Sequence, residues 1–141
     1  MSLTAAHIMK SIKNAKSFEK VLDKIKVISL QDGNCLAEME VSEEHTNPLG
    51  GLHGGFSATL VDNISSYGLL SHKFGSVPSV SVDLHTTYLR GAKIGDTIEI
   101  DARTLRVGKS LAVLEVYIKN KVTGELLVKG SHTKFLMQST N

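Results

Sequence analysis

The chain predicts an α+β domain in which one antiparallel sheet wraps around one long central helix. Three observations carry this. From Gly54 to about Lys73 there is no proline, and Phe56, Leu60, Ile64 and Tyr67 recur at helical spacing. Ala58, Val61, Ser65 and Gly68 add small or apolar residues on adjoining faces, so this helix of about five turns expects burial around much of its circumference. Apolar residues elsewhere alternate with polar ones at period two, as in half-buried strands. Short turn signals separate those strands, which favours antiparallel pairing. With 141 residues, the chain fits one domain spanning 1–141.

In order, residues 1–17 contain no acidic residue; Lys10, Lys13 and Lys16 recur beside Ile8, Ile12 and Ala15. This reads as an amphipathic helix on the domain edge. A weak organelle-import signal is the alternative, although its usual arginines are missing. The expected location is therefore cytoplasmic, with mitochondria as a second compartment. Val21 to Leu30 and Cys35 to Val41 read as strands joined by Gln31-Asp32-Gly33-Asn34. A loop from Ser42 to Leu52 leads into the helix predicted over 54–73. Beyond it, Val80, Val82 and Leu84 alternate with Ser81, Asp83 and His85, and Ile98, Ile100 and Ala102 with Glu99, Asp101 and Arg103. Leu111 to Ile118 and Leu126 to Leu136 complete the strands.

Composition excludes several classes. The chain is 41% hydrophobic and 21% charged, which suits a globular domain rather than a disordered one. A net charge of +2 is too small for a nucleic-acid surface. No apolar run is long enough for a transmembrane segment. Cys35 is the lone cysteine and falls on a core position of its strand, so it reads as packing in a reducing compartment. Six histidines lie scattered without metal-ligand spacing, and no metal site is expected. Gly108-Lys109-Ser110 mimics the end of a P-loop, but Arg103 stands where that motif needs glycine.

Chemistry concentrates in His45-Thr46-Asn47-Pro48-Leu49-Gly50-Gly51-Leu52-His53-Gly54-Gly55, which runs straight into the helix. Glycines there let the backbone approach a ligand, and the first helical N–H groups are unpaired at the positive end of the dipole. They suit an anion, or a carbonyl oxygen that becomes one in a transition state. A loop that merely needs glycine for its turns is the plainer alternative. Asp62 lies mid-helix where burial is expected; its neighbours at three and four positions are Ala58, Thr59, Ser65 and Ser66, none of them cationic. It is either a bond to another segment or a general base or nucleophile. Gly54 and Asp62 are eight residues apart, about 12 Å along one helix. One carbonyl reaches both only if two copies of the chain meet.

With HTNPLGGLHGG feeding a helix that carries ATLVDNIS, followed by SVSVDLHTTYLRGAKIGD and KGSHTKF, the sequence resembles the hotdog-fold acyl-CoA thioesterases of the PaaI-like branch. The resemblance implies a hotdog fold and hydrolysis of medium- to long-chain fatty acyl-CoA. It implies that the Gly54 N–H polarises the thioester carbonyl, that Asn47 holds substrate or water, and that Asp62 activates water or attacks directly. Ser81 would position that acid or water from the partner side, and His53 would orient rather than act as base. Contacts to coenzyme A would come from Asp83, Tyr88, the turn Arg106, Val107, Gly108, Lys109, Ser110 and Leu111, and the tail from His132 through Lys134 to Phe135. Lys109 and Lys134 are expected near phosphates. No cofactor is implied, since coenzyme A is part of substrate and product. The implied assembly is a homo-oligomer, with a dimer as the minimal active unit and a tetramer built from two. A hotdog hydroxyacyl-thioester dehydratase and a non-catalytic acyl-CoA-binding module stand as alternatives.

Overall fold

The computed structural model describes residues 3–138. Helix α1 spans Ala5–Lys13, capped by Thr4, whose hydroxyl accepts from the His7 N–H while His7 Nδ1 accepts from the Thr4 N–H. It is shorter than the predicted 1–17. Asn14 closes it, Lys16 lies beyond it, and Met1 and Ser2 lie outside the described residues. The strand expected from Val21 also starts late, because Phe18–Leu22 form a 3-10 turn that drives Leu22 fully into the core. Apolar residues there serve as a plug under α1 rather than as a sheet face.

Six strands follow: β1 Lys26–Gln31, β2 Asn34–Glu40, β3 Ser79–Tyr88, β4 Thr97–Val107, β5 Leu111–Asn120 and β6 Leu126–Leu136. They form one sheet in the order β1-β2-β4-β5-β6-β3, every neighbouring pair antiparallel. Between β1 and β2 the turn is Asp32-Gly33, both at positive φ, the geometry whose twist suits a two-residue hairpin. Helix α2, Gly54–Leu70, lies against this sheet. Leu60, Val61 and Ile64 are fully buried and join a core with Ala37, Met39, Ile98, Ile100, Val116 and Ile118. Cys35 packs there too, and burial pushes its thiol up to about 12, so it is inert.

Helix α2 ends three residues before the predicted Lys73. Ser71 terminates it, donating to the Gly68 carbonyl at 2.7 Å and accepting from the Gly33 N–H at 3.0 Å, which ties the helix end to the β1–β2 turn. The larger departure is β3. Its alternation predicts a half-buried strand, yet as an edge strand it leaves Val80 51% and Val82 60% exposed. The register with β6 slips between Ser81 and Asp83, so Val82 is an extra residue in a bulge.

Candidate active site

The glycine-rich loop closes on itself before the helix begins. Its Asn47 N–H donates to the Gly51 carbonyl at 2.8 Å, and Asn47 Oδ1 accepts from the N–H groups of Leu49 and Gly51 at 2.9 and 3.2 Å. Gly50 sits at φ +84, where a side chain would be strained. The His53 N–H donates to the His45 carbonyl at 2.8 Å, which anchors the helix entrance to the 3-10 turn Glu43–His45. Asn47 Oδ1 is thus committed to the loop, and only its amide nitrogen is left for a ligand.

His53 is the N-cap of α2, and its Nδ1 accepts from the Gly55 N–H at 2.9 Å. That bond occupies one of the orphan donors of the first turn. Among the described residues the Gly54 N–H has no acceptor. On the other side, the Tyr88 hydroxyl donates to the Gly54 carbonyl at 2.8 Å. Gly54 is therefore held by Tyr88 beside a Gly55 donor already taken by His53, with its own donor unused, an arrangement suited to gripping a carbonyl oxygen.

Asp62 belongs to a second cluster. Its side chain is 45% exposed, which corrects the expectation of a buried carboxylate: this flank of α2 faces the thin edge of the sheet. His132, wholly buried on β6, stands beside it with Nε2 3.8 Å from Asp62 Oδ1. Its Nδ1 lies 2.8 Å from Ser65 Oγ and its Nε2 lies 2.7 Å from Ser81 Oγ. Ser81 and Asp62 thus share one cluster in the same chain, where the resemblance had put Ser81 on the partner's side. Burial pulls His132 down to about 4, outweighing the opposing pull of Asp62. The imidazole is therefore neutral near pH 7, and its approach to Asp62 is not an ion pair.

This makes His132 a pH-dependent element of stability. Because its folded value lies below the unfolded value of about 6.5, the unfolded chain binds the extra proton between the two. Its contribution is complete above pH 6.5 and disappears as pH falls toward 4, a loss of about 3 kcal/mol. Urea unfolding at pH 7.0 and 4.5 should register that drop, and His132→Asn should flatten it. An unchanged pH profile in the variant would assign the effect elsewhere.

Lys134 also turns inward, against the expectation of a phosphate contact on the surface. It is buried and donates to Ser66 Oγ at 2.7 Å, and burial lowers its pKa with Asp62 opposing. His132 is likewise closed off from a surface ligand. The other residues expected near coenzyme A lie open. Arg106, Lys109, Ser110 and Leu111 sit exposed at the β4–β5 turn, with Val107 and Gly108 half-buried, and the Gly108 N–H donates to the Leu111 carbonyl at 2.8 Å. Phe135 pairs with Leu111 on one side and Val80 on the other. Asp83 is exposed next to the bulge, while Tyr88 lies at the far end of β3 with Gly54. One chain thus carries two half-sites: Asn47, His53, Gly54 and Tyr88 at the helix entrance, and Asp62, Ser81, Ser65 and His132 farther along.

Strand parity could have exposed the inward turn of His132 and Lys134. On β6 they share alternation with buried Val128, Gly130 and Leu136. Ser65 carried no comparable signal, since a small polar residue on a helix points to no particular partner.

Comparison with known proteins places this geometry in context. The sequence profile of the thioesterase superfamily matches residues 49–127. The chain is 47% identical to human acyl-coenzyme A thioesterase 13 over 136 residues, 96% of each sequence. Its fold is similar to the crystal structure of zebrafish thioesterase superfamily member 2, with TM-score 0.92 and 42% identity over 96% of this chain and 100% of that one. The mouse thioesterase superfamily member 2 structure gives TM-score 0.88 and 43% identity over 97% and 100%.

Proposed function

The chain belongs to the thioesterase superfamily, and from that premise we propose that it hydrolyses medium- to long-chain fatty acyl-CoA to a fatty acid and coenzyme A. The observation that carries the reading is the unused Gly54 N–H at the helix entrance, on the same helix as the half-exposed carboxylate of Asp62. Asp62 takes a proton from water, or attacks the carbonyl carbon itself, and the Gly54 N–H receives the developing oxyanion. Collapse of the tetrahedral intermediate breaks the C–S bond; on the direct-attack route the acyl group is left on Asp62 as a mixed anhydride, which water hydrolyses to the fatty acid and the free carboxylate. The thiolate leaves without a dedicated acid, because a thiol pKa near about 8.5 makes it a good leaving group. Ser65 donates to the Asp62 carbonyl at 3.1 Å, so neutral His132 gives its Nδ1–H to Ser65 and its Nε2 accepts from the Ser81 hydroxyl, whose lone pairs are then free for the attacking water. Asn47 Nδ2 and the exposed turn from Arg106 to Leu111, with Asp83 and Phe135, supply contacts to substrate and to coenzyme A. The reaction consumes no cofactor; coenzyme A enters as substrate and leaves as product. Thiol release from palmitoyl-CoA tests the reading. Binding of palmitoyl-CoA with no thiol released would overturn it in favour of a binding module.

The two half-sites meet in a homodimer. An open β3 edge carrying exposed Val80, Val82 and Leu84 invites antiparallel pairing with its own copy about a two-fold axis. Such pairing sets the helix entrance of one protomer against the Asp62 end of the other. Exposed Leu105, Leu111, Val113 and Phe135 supply further apolar surface for a tetramer of two dimers. Gly54→Pro removes the donor and puts its ring where the carbonyl oxygen would sit, while the helix start tolerates it, since proline is favoured at the first helical position and His53 is already extended at ψ 130. Co-expressed Gly54→Pro and Asp62→Asn chains should recover about a quarter of wild-type activity, because half the dimers are mixed and each holds one intact site. No recovery would place both residues of a site in one chain. Among the described residues no helix is long and apolar enough to cross a membrane. We propose a cytoplasmic location, with mitochondria as a second compartment; a fold that needs no disulfide, its one cysteine being buried in the core, suits a reducing environment.

A further inference from the structure

Helix α2 opens on two glycines, and glycine lacks the Cβ that restricts φ and ψ. The direction of the Gly54 N–H is therefore set by whatever bonds hold the peptide planes on either side of it. A donor aimed in advance costs no reorganisation when charge develops on the carbonyl oxygen.

Three hydrogen bonds hold those planes. The His53–Gly54 peptide, which carries the donor, is tied through the His53 carbonyl, which accepts from the Ser57 N–H at 2.9 Å. The Gly54–Gly55 peptide is tied at both ends. His53 Nδ1 accepts from the Gly55 N–H at 2.9 Å, and the Tyr88 hydroxyl donates to the Gly54 carbonyl at 2.8 Å. Of the three partners, Ser57 and His53 belong to the same short segment and move with it. Only Tyr88 comes from outside, 34 residues away in the chain. Its backbone is fixed to the sheet: Tyr88 pairs with Val128 of β6, and the following N–H, of Leu89, donates to the Leu127 carbonyl at 2.8 Å. The ring also lies against the helix entrance, since a Cβ on Gly54 would stand 3.5 Å from Tyr88 Cε1 and Cζ.

We propose that Tyr88 is a positioning residue of the hydrolase, its hydroxyl locking the Gly54–Gly55 peptide so that the Gly54 N–H is aimed before the thioester carbonyl arrives. The resemblance implied a contact to coenzyme A for this residue instead. The single hydroxyl proton is already committed to Gly54. The two roles differ kinetically. An anchor for coenzyme A acts equally on bound substrate and transition state, so its loss raises KM and leaves kcat unchanged. A lock on the oxyanion donor counts most when charge develops, so its loss lowers kcat.

The inference rests on the hydrolase reading, and the test separates the two. Tyr88→Phe keeps the ring and removes the hydroxyl; the side chain is 53% exposed, so the fold should survive. For palmitoyl-CoA, kcat should fall about three- to tenfold, the net worth of one hydrogen bond, with KM little changed. Infrared spectroscopy supplies a readout that a merely structural role would not move. The Asp62→Asn protein should hold palmitoyl-CoA long enough to record the carbonyl stretch of the bound thioester by isotope difference. The Gly54 N–H should pull that band to lower wavenumber, and the pull should weaken in Asp62→Asn/Tyr88→Phe. Unchanged kcat in Tyr88→Phe, a raised KM alone, or the same carbonyl band in both Asp62→Asn proteins overturns the proposal. A wild-type protein that releases no thiol would instead defeat the hydrolase reading itself.

Discussion

Asp62→Asn is expected to lower kcat for palmitoyl-CoA by about 10²- to 10⁴-fold, the usual range for removal of a positioned base or nucleophile. Asparagine keeps the size and hydrogen-bonding shape of the side chain but can neither take a proton from water nor attack as a carboxylate. The substitution should leave the fold intact. Asp62 is half-exposed, and its nearest basic neighbour is the neutral His132 at 3.8 Å, so no ion pair is lost. A modest loss of stability, about 1 kcal/mol, is anticipated, because the carboxylate also favours the buried Lys134 cation. KM should move little, since the carboxylate acts at the reacting carbonyl rather than on the coenzyme A portion. Steady-state kinetics together with urea unfolding distinguish these effects. Equal kcat in both proteins would remove Asp62 from the mechanism, and an unfolded variant would give it a structural role.

Gly130→Val should severely damage the fold, lowering stability by more than about 3 kcal/mol. Gly130 lies on β6 under α2, where a Cβ would stand 2.6 Å from Val61 Cγ1 and 2.8 Å from Val61 Cγ2. Val61 is fully buried and cannot swing away, so a branched side chain must lift the helix from the sheet. That displacement would reach Asp62, the next residue along the helix. Gly91→Ala provides the contrast: nothing lies within 4 Å of its Cβ position, and no loss is expected. Val61→Ala combined with Gly130→Ala should recover much of the loss if the clash is local. Urea midpoints for the set decide the matter; a Gly130→Val midpoint close to wild type would mean that helix and sheet are less closely packed.

Much of the fold was legible because its signals are local. Helical spacing from Phe56 to Tyr67 marked the central helix, and alternation at Ile98, Ile100 and Ala102 marked a core strand whose inner residues are fully buried. The start of β1 was misread because Val21 and Leu22 are apolar in either a strand or a 3-10 turn. Period two at Val80, Val82 and Leu84 marked a strand that the structure has, but not where its apolar residues point. Alternation reports that one face is apolar, but whether that face meets the core or a second chain depends on the strand's place in the sheet.

The site divides in the same way. The amino-acid sequence determined the helix entrance, because a glycine pair, an N-cap histidine and an acid eight residues on are set by one segment and the geometry of one helix. The surroundings of Asp62 were decided only in three dimensions. Ser65, Ser81 and His132 come from α2, β3 and β6, and the Ser65–His132 contact spans 67 residues. No periodicity records which distant segments will face one another. That pairing follows from strand order, from the bulge at Val82 that reshapes the register beside Ser81, and from the apolar burial that holds α2 against β6.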